Sequence, residues 1–199
     1  MKIFFSKKKL INKIKNTTNL GFVPTMGAIH KGHISLIKKS NKLSNKTIVT
    51  IFVNKPQFNR ENDFIKYPRT LRKDINLLKK NGTDFLYLPS VKQIYQHGPN
   101  KKIKISKLKK ILCGKNRPGH FEAVVDVMDR FIKIINPSRI FLGEKDFQQL
   151  IIIKEFIHTN KIKTKIVMCP TIREKNGMAC SSRNYLLSHK QKMIASNVY

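Results

Sequence analysis

The segment V-P-T-M-G-A-I-H-K-G-H, Val23–His33, lies where a short apolar run, Gly21–Pro24, gives way to Ile34, Ile37 and Leu43 at helical spacing. It therefore reads as a strand turning directly into a helix. Two imidazoles three residues apart, His30 and His33, can share one face, and Gly27 and Gly32 let a ligand approach the backbone. The amino end of a helix adds free N–H groups and the positive end of a dipole, so the turn suits a triphosphate. Imidazoles placed there can hydrogen-bond phosphate oxygens and stabilise charge as pyrophosphate leaves. Metal ligation by the pair is a competing reading, without an obvious third ligand; a pair of capping or solvent-facing histidines is another.

Outward from this turn the chain alternates between strand and helix patterns. Thr47–Val53, T-I-V-T-I-F-V, has the unbroken hydrophobicity of a strand covered on both faces. Asn54–Pro68 is polar, contains Pro56, Asn59 and Asn62, and reads as a loop of the length that usually serves a function. A helix beginning at Thr70 or Asp74 carries Leu71, Ile75 and Leu78 and ends in a left-handed cap at Asn81-Gly82. Phe85–Leu88 is a strand stopped by Pro89, and an irregular basic region follows. Val124, Val127, Met128, Phe131, Ile132 and Ile135 mark a long amphipathic helix that ends at Asn136-Pro137. Next come a strand (Arg139–Gly143), a helix (Phe147–His158), a strand (Lys163–Cys169), a second long loop (Pro170–Asn184) and the start of a helix (Ser188–Tyr199). This alternation predicts an α/β fold with a parallel sheet and a ligand at the carboxyl ends of its strands.

Composition narrows the function classes. At 199 residues and 40% hydrophobic content, the chain holds enough apolar material for a core-bearing domain. No apolar run reaches the length of a membrane span, and Met1–Leu10 lacks the apolar centre of a secretion signal, so a cytoplasmic location is expected. Cys113, Cys169 and Cys180 have neither the number nor the spacing of a disulfide framework or zinc site. The net charge of +30 invites a nucleic-acid reading. Against it, 33 of the 41 basic residues are Lys, spread from Lys2 to Lys192, where readers of bases and phosphates favour Arg. A drift toward Lys, Ile and Asn explains the pattern better, and no nucleic-acid or membrane partner is expected. The dense stretch Lys101–Lys110 is where a polyanion would be sought.

Three more clusters carry chemistry. I-F-V-N-K-P-Q-F, Ile51–Phe58, followed by Y-P-R-T, Tyr67–Thr70, sets Gln57 just beyond a buried strand, where its amide can donate to a carboxylate or accept from a hydroxyl. C-G-K-N-R-P-G-H-F-E-A-V, Cys113–Val124, goes with F-L-G-E-K-D-F-Q-Q-L, Phe141–Leu150. In the second of these a strand ends at Gly143, and Lys145, Asp146, Gln148 and Gln149 open a helix. A lysine there can act as a point charge on a transferring phosphoryl group, and Asp146 can accept from ribose hydroxyls. P-T-I-R-E-K-N-G-M-A-C-S-S-R-N, Pro170–Asn184, offers Ser181, Ser182 and Arg183 as a clamp for ATP phosphates.

The HxGH element characterises adenylyl-transferring enzymes, among them class I aminoacyl-tRNA synthetases. With PTMGxxHxGH, FVNxxQF, YPRT, RPGHF, GEKDxQQ and SSRN in this order from Gly21 to Leu187, the chain resembles the pantothenate synthetase family. The resemblance implies a Rossmann-like, doubly wound parallel sheet of the HxGH nucleotidyltransferase type. It also implies a ligase that uses ATP and Mg²⁺ to join pantoate to β-alanine through pantoyl adenylate, in pantothenate and coenzyme A biosynthesis. Met26, Gly27, Ala28, Ile29, His30, Lys31, Gly32 and His33 would hold ATP, with His33 as general acid or phosphate-stabilising group and His30 and Lys145 neutralising phosphate charge. Gly143, Glu144, Lys145, Asp146, Ile172, Cys180, Ser181, Ser182 and Arg183 would complete the ATP site. Gln57 and Gln149 would bind pantoate, Gln57 also facing β-alanine, while Tyr67, Arg117 and His120 contribute in unspecified roles. No metal ligands are assigned. A homodimer through the amino-terminal domain is expected.

Three departures from the family pattern bear on these expectations. Lys55-Pro56 precedes Gln57 where Pro usually comes first, and Cys180 stands where Met or Leu is usual. The family continues into a smaller carboxyl-terminal domain that closes over the site. Residues 1–187 are therefore expected to be the ATP- and pantoate-binding domain, and 188–199 a truncated start of that lid. Without the lid, adenylation is expected to persist while net synthesis is impaired. The alternatives are an impaired or non-catalytic remnant and a basic nucleic-acid-binding protein.

Overall fold

Residues at alternate positions along the strands face opposite ways, and this parity builds a core on each side of one sheet. The computed structural model describes residues 1–100 and 102–197. Lys101, at the start of the lysine-dense stretch, and Val198 and Tyr199, at the end of the expected 188–199 segment, lie outside them. In chain order the elements are β1 (Lys2–Phe4), α1 (Lys7–Ile14), β2 (Leu20–Thr25), α2 (Lys31–Leu43), β3 (Lys46–Ile51), α3 (Glu61–Ile65) and α4 (Leu71–Lys80). They continue with β4 (Phe85–Tyr87), α5 (Val91–Ile94), α6 (His120–Ile135), β5 (Arg139–Gly143), α7 (Phe147–Thr159), β6 (Lys165–Cys169) and α8 (His189–Ser196). Phe22, Ile48, Tyr87 and Leu142 pack with α6, α7 and Leu10 and Ile14 of α1 on one face. Val23, Val49, Leu86 and Phe141 pack with Leu36 and Ile37 of α2 and Leu78 of α4 on the other.

All the strands are parallel, in the order β1-β4-β3-β2-β5-β6. The chain winds outward from β2 through β3 to β4, then returns to lay β5 on the opposite flank of β2. At that reversal β2 and β5 pair only at Gly21↔Arg139 and Phe22↔Ile140. Beyond this point they part, while Pro24 stays in register with Thr50 of β3. A proline, which has no N–H to give a ladder, is thus tolerated in a central strand at the place where one neighbour has left. The parting of β2 and β5 opens the crevice expected at a topological switch point.

The doubly wound α/β fold agrees with the sequence reading, and three details differ. β1 and α1 were not foreseen: the strand is three residues long, and the apolar Leu10 and Ile14 of α1 sit among lysines at 7, 8, 9, 13 and 15. The 54–68 segment is not simply a loop but contains a 3₁₀ turn, Lys55–Gln57, and the helix α3. The second long loop likewise ends in a 3₁₀ turn, Ser182–Leu186.

Candidate active site

The crevice is a groove with two joined lobes. One, about 220 Å³, is lined by Met26, Gln57, Tyr67, Arg117, His120, Ser181, Ser182 and Arg183, with an apolar wall from Phe52, Val127, Met128 and Phe131. The other, about 140 Å³, is lined by Gly32, Leu36, Phe141, Gly143, Pro170, Thr171, Ile172 and Cys180. His30, His33, Lys145, Asp146 and Gln149 border both lobes. Residues of the predicted motifs thus converge, from sites far apart in the chain, on one groove, with His30, His33, Lys145, Asp146 and Gln149 where its lobes meet.

At the amino end of α2 the two histidines cap the helix with their own rings. The Gly32 N–H donates to His30 Nδ1 at 3.1 Å, and the His30 N–H donates to His33 Nδ1 at 3.4 Å. Because both Nδ1 atoms accept, each neutral ring carries its proton on Nε2. The rings stack with centroids 4.0 Å apart. Burial, then the Lys145 charge, lowers the His30 pKa to about 4, and burial, the His30 ring and Lys145 lower His33 to about 3. At neutral pH the pair is therefore two uncharged Nε2–H donors. Gly32 is needed here because a Cβ would lie 2.9 Å from His30 Cε1.

The expectation of free N–H groups in this turn is corrected by the structure. The Gly27 N–H donates to Thr25 Oγ1 at 3.2 Å, and the Ala28 and Ile29 N–H groups donate to the two carboxylate oxygens of Asp74 at 3.0 and 2.9 Å. Thr70 Oγ1 also donates to Asp74, which is 1% exposed. Ala28 and Ile29 are buried beneath the groove, and neither lines it. Gly27 and Ala28 both have positive φ, at 84° and 48°, and a Cβ on Gly27 would meet Ile51 at 3.0 Å and Asp74 at 3.2 Å. The backbone of this turn is thus committed to holding its own shape, and the side chains of His30 and His33 are what it presents.

The serine-arginine segment also differs from the expected clamp. Ser182 is buried, and its hydroxyl donates to the carbonyls of Ala28 and Gly27 at 3.1 and 3.3 Å, locking the histidine turn from above. Ser181 Oγ accepts the Arg183 N–H. Arg183 makes a bidentate pair with Asp63 of α3, at 3.0 and 2.8 Å, while its guanidinium lies over Phe58 and Tyr67. That pairing holds the Asp63 carboxyl below its ordinary range. Lys145 pairs with Asp146 at 2.8 Å. The two adjacent glutamines divide their tasks: Gln149 faces the groove, whereas Gln148 donates to Leu108 O and Ile111 O and accepts from the Cys113 N–H. Among the predicted ATP residues Gly27, Ala28, Ile29, Lys31 and Glu144 line neither lobe.

On the far wall His120 Nδ1 lies 2.7 Å from Gln57 O. A carbonyl only accepts, so this nitrogen carries the proton and Nε2 keeps its lone pair. Burial lowers the His120 pKa, which keeps the ring neutral. Asp63, Asp74, Asn54 and Tyr95 are the residues that the sequence reading did not single out. Asn54 lies inside the FVNxxQF motif and Asp74 four residues past YPRT, but nothing local distinguishes Asp63 or Tyr95.

The sheet order, the crevice at its switch point and the paired imidazoles define an α/β nucleotidyltransferase-type domain. The same fold extends to a tyrosyl-tRNA synthetase from Leishmania major, at 14% identity and a TM-score of 0.55 over 89% of this chain and 31% of that one. The family model for pantoate-beta-alanine ligase matches residues 3–199, and the chain belongs to that family. A pantothenate synthetase from Caldicellulosiruptor saccharolyticus is 42% identical over 193 residues, which are 96% of this chain and 69% of the relative. A pantoate-beta-alanine ligase from Francisella tularensis, solved in complex with beta-gamma ATP and beta-alanine, superposes with a TM-score of 0.96 at 41% identity, over 100% of this chain and 78% of that one. The remnant and the nucleic-acid-binding alternatives are not favoured by these matches. No helix among the described residues is long and apolar enough to cross a membrane.

Proposed function

We propose that the chain is a ligase that condenses pantoate with β-alanine at the expense of ATP, with pantoyl adenylate as intermediate. The observation that carries this reading is the junction of the two lobes, which the neutral imidazoles of His30 and His33, Lys145 and Gln149 all border. ATP occupies the smaller lobe, along Gly143, Ile172 and Cys180, with its α-phosphate at the junction. Pantoate occupies the larger lobe, with its dimethyl group on the apolar wall and its polar groups on Gln57 and Gln149.

In the first step a pantoate carboxylate oxygen attacks the α-phosphorus, and the bond to the bridging oxygen of pyrophosphate breaks. His30 and His33 donate to phosphate oxygens as charge builds, and Lys145 supplies the positive charge. Neutral imidazoles with pKa values near 4 and 3 act here as hydrogen-bond donors in place of a preformed imidazolium. Arg183 exchanges Asp63 for the leaving phosphates. In the second step the amine of β-alanine attacks the acyl carbon, the C–N bond forms and AMP leaves with the C–O electron pair. His120, with its unprotonated Nε2, takes the proton that the ammonium must lose. Bound together with ATP, Mg²⁺ would neutralise charge on the phosphates, and Asp146, the carboxylate lining both lobes, would be the residue to hold it.

In this reading residues 1–187 are the binding unit and 188–199 open the segment that closes over it. The enzyme works in the cytoplasm as a homodimer. Pyrophosphate and AMP are measured from Mg-ATP, first with pantoate and then with β-alanine, while pantothenate is followed by mass spectrometry. Pyrophosphate that depends on pantoate, followed by pantothenate that depends on the amine, is expected. Absence of pantoate-dependent pyrophosphate overturns the assignment.

A further inference from the structure

The polarity of the Gln57 amide is decided outside the groove. Ala123 O, a backbone carbonyl on α6, lies 3.3 Å from one end of the Asn54 side chain, and since a carbonyl only accepts, that end is Nδ2. Asn54 Nδ2 also donates to Gln57 at 3.1 Å, so the Gln57 atom facing it is Oε1 and the Nε2 group points away from Asn54. The other end of Asn54, Oδ1, accepts from the Tyr95 hydroxyl at 2.6 Å. Asn54 is 1% exposed, so an Oδ1 left without that donor would carry an uncompensated desolvation cost.

Tyr95 is itself held from behind. The Arg130 guanidinium lies 4.6 Å over its ring and donates to Ile94 O and Gly98 O at 2.6 and 2.9 Å and to Asp126 at 2.7 Å. A continuous line of contacts thus runs from α6 through the residues after α5 to the amide on the groove wall. We propose that Tyr95, acting through Asn54, is a positioning residue that makes Gln57 present its N–H₂ group as a donor to the carboxylic acid substrate. This rests on the reading of Gln57 as a pantoate contact.

The test titrates pantoate calorimetrically into the full chain saturated with a non-hydrolysable ATP analogue. Tyr95→Phe keeps the ring over which Arg130 sits and removes the donor. It is expected to weaken pantoate roughly five- to tenfold while the affinity for the ATP analogue stays within about twofold. Gln57→Ala is expected to weaken pantoate more, about thirtyfold, and the Tyr95→Phe, Gln57→Ala double variant to match Gln57→Ala alone. Asn54→Ala provides the same cycle should Tyr95→Phe fail to fold. If Gln57→Ala leaves pantoate affinity unchanged, Gln57 is not a pantoate contact and the underlying reading fails. If Gln57→Ala acts alone, or if the double variant adds the two losses, Gln57 stands as a contact and the positioning role is overturned.

Discussion

The histidine turn and the glutamine turn face each other across one groove, yet they are held in place by different physics. The first is fixed by a buried charge: Asp74 takes two backbone N–H groups of residues 28 and 29, and the rings of His30 and His33 cap their own helix. The second is fixed by neutral groups, an amide, a hydroxyl and a carbonyl, whose directions are set by which of them can only accept. A charge-assisted bond to backbone is strong and insensitive to side-chain identity around it. A chain of neutral amides is weaker, but it specifies donor and acceptor direction, which is what recognition of a small acid requires.

Removing His33 tests the chemical end of the first region. His33→Ala is expected to lower pantoate-dependent pyrophosphate release several hundredfold or so, the scale of a lost charge-stabilising donor. Wild-type release in that variant would break the comparison outright. Asp74→Ala tests the anchor, since it strands two buried N–H groups and the Thr70 hydroxyl. It should cost about 3 kcal/mol in urea unfolding, and a loss near zero would mean that the turn holds its shape unaided.

Acid sharpens the contrast. In the unfolded chain a histidine takes its proton near 6.5, whereas folded His30 and His33 resist until about 4 and about 3. Below pH 6.5 the unfolded state therefore binds more protons, so the stability contributed by the neutral pair is complete above 6.5 and drains away as pH falls through about 4 to about 3. Thermal melts across that window should show a steeper decline for the wild type than for a His30→Ala, His33→Ala double variant. Identical slopes would remove the pair from the explanation. The smallest effect belongs to the Arg183–Asp63 pair, which is partly exposed. Asp63→Ala frees the guanidinium, and titration should show ATP affinity rising by about two- to fivefold; a weakened affinity would mean that Asp63 positions Arg183 instead of competing for it.

Much of this is legible in the amino-acid sequence. Repeated apolar spacing marked α6, because a long, strongly periodic segment carries its own signal, and short unbroken apolar runs marked β2 and β3. The converging motifs named His30, His33, Gln57, Lys145 and Gln149, all of which reach the groove. What stayed hidden has a common cause. β1 is three residues long and is held by pairing with β4, more than eighty residues on in the chain. Ser182 suits a phosphate clamp by its hydroxyl alone, but in the fold that hydroxyl donates to the carbonyls of Gly27 and Ala28, which are 155 and 154 residues away in the chain.

The sequence by itself determined the alternation of strand and helix, the strand-to-helix turn with its two imidazoles, and the residue types that meet phosphate and acid. Those are properties of neighbours along the chain, where spacing and side-chain chemistry suffice. Only the tertiary structure decided which nitrogen of His120 is free, that the Ala28 and Ile29 amides belong to Asp74, and which end of the Gln57 amide faces the groove. Hydrogen-bond direction depends on the partner, and here each deciding partner, whether Asp74, Ala123 or Tyr95, comes from a distant part of the chain.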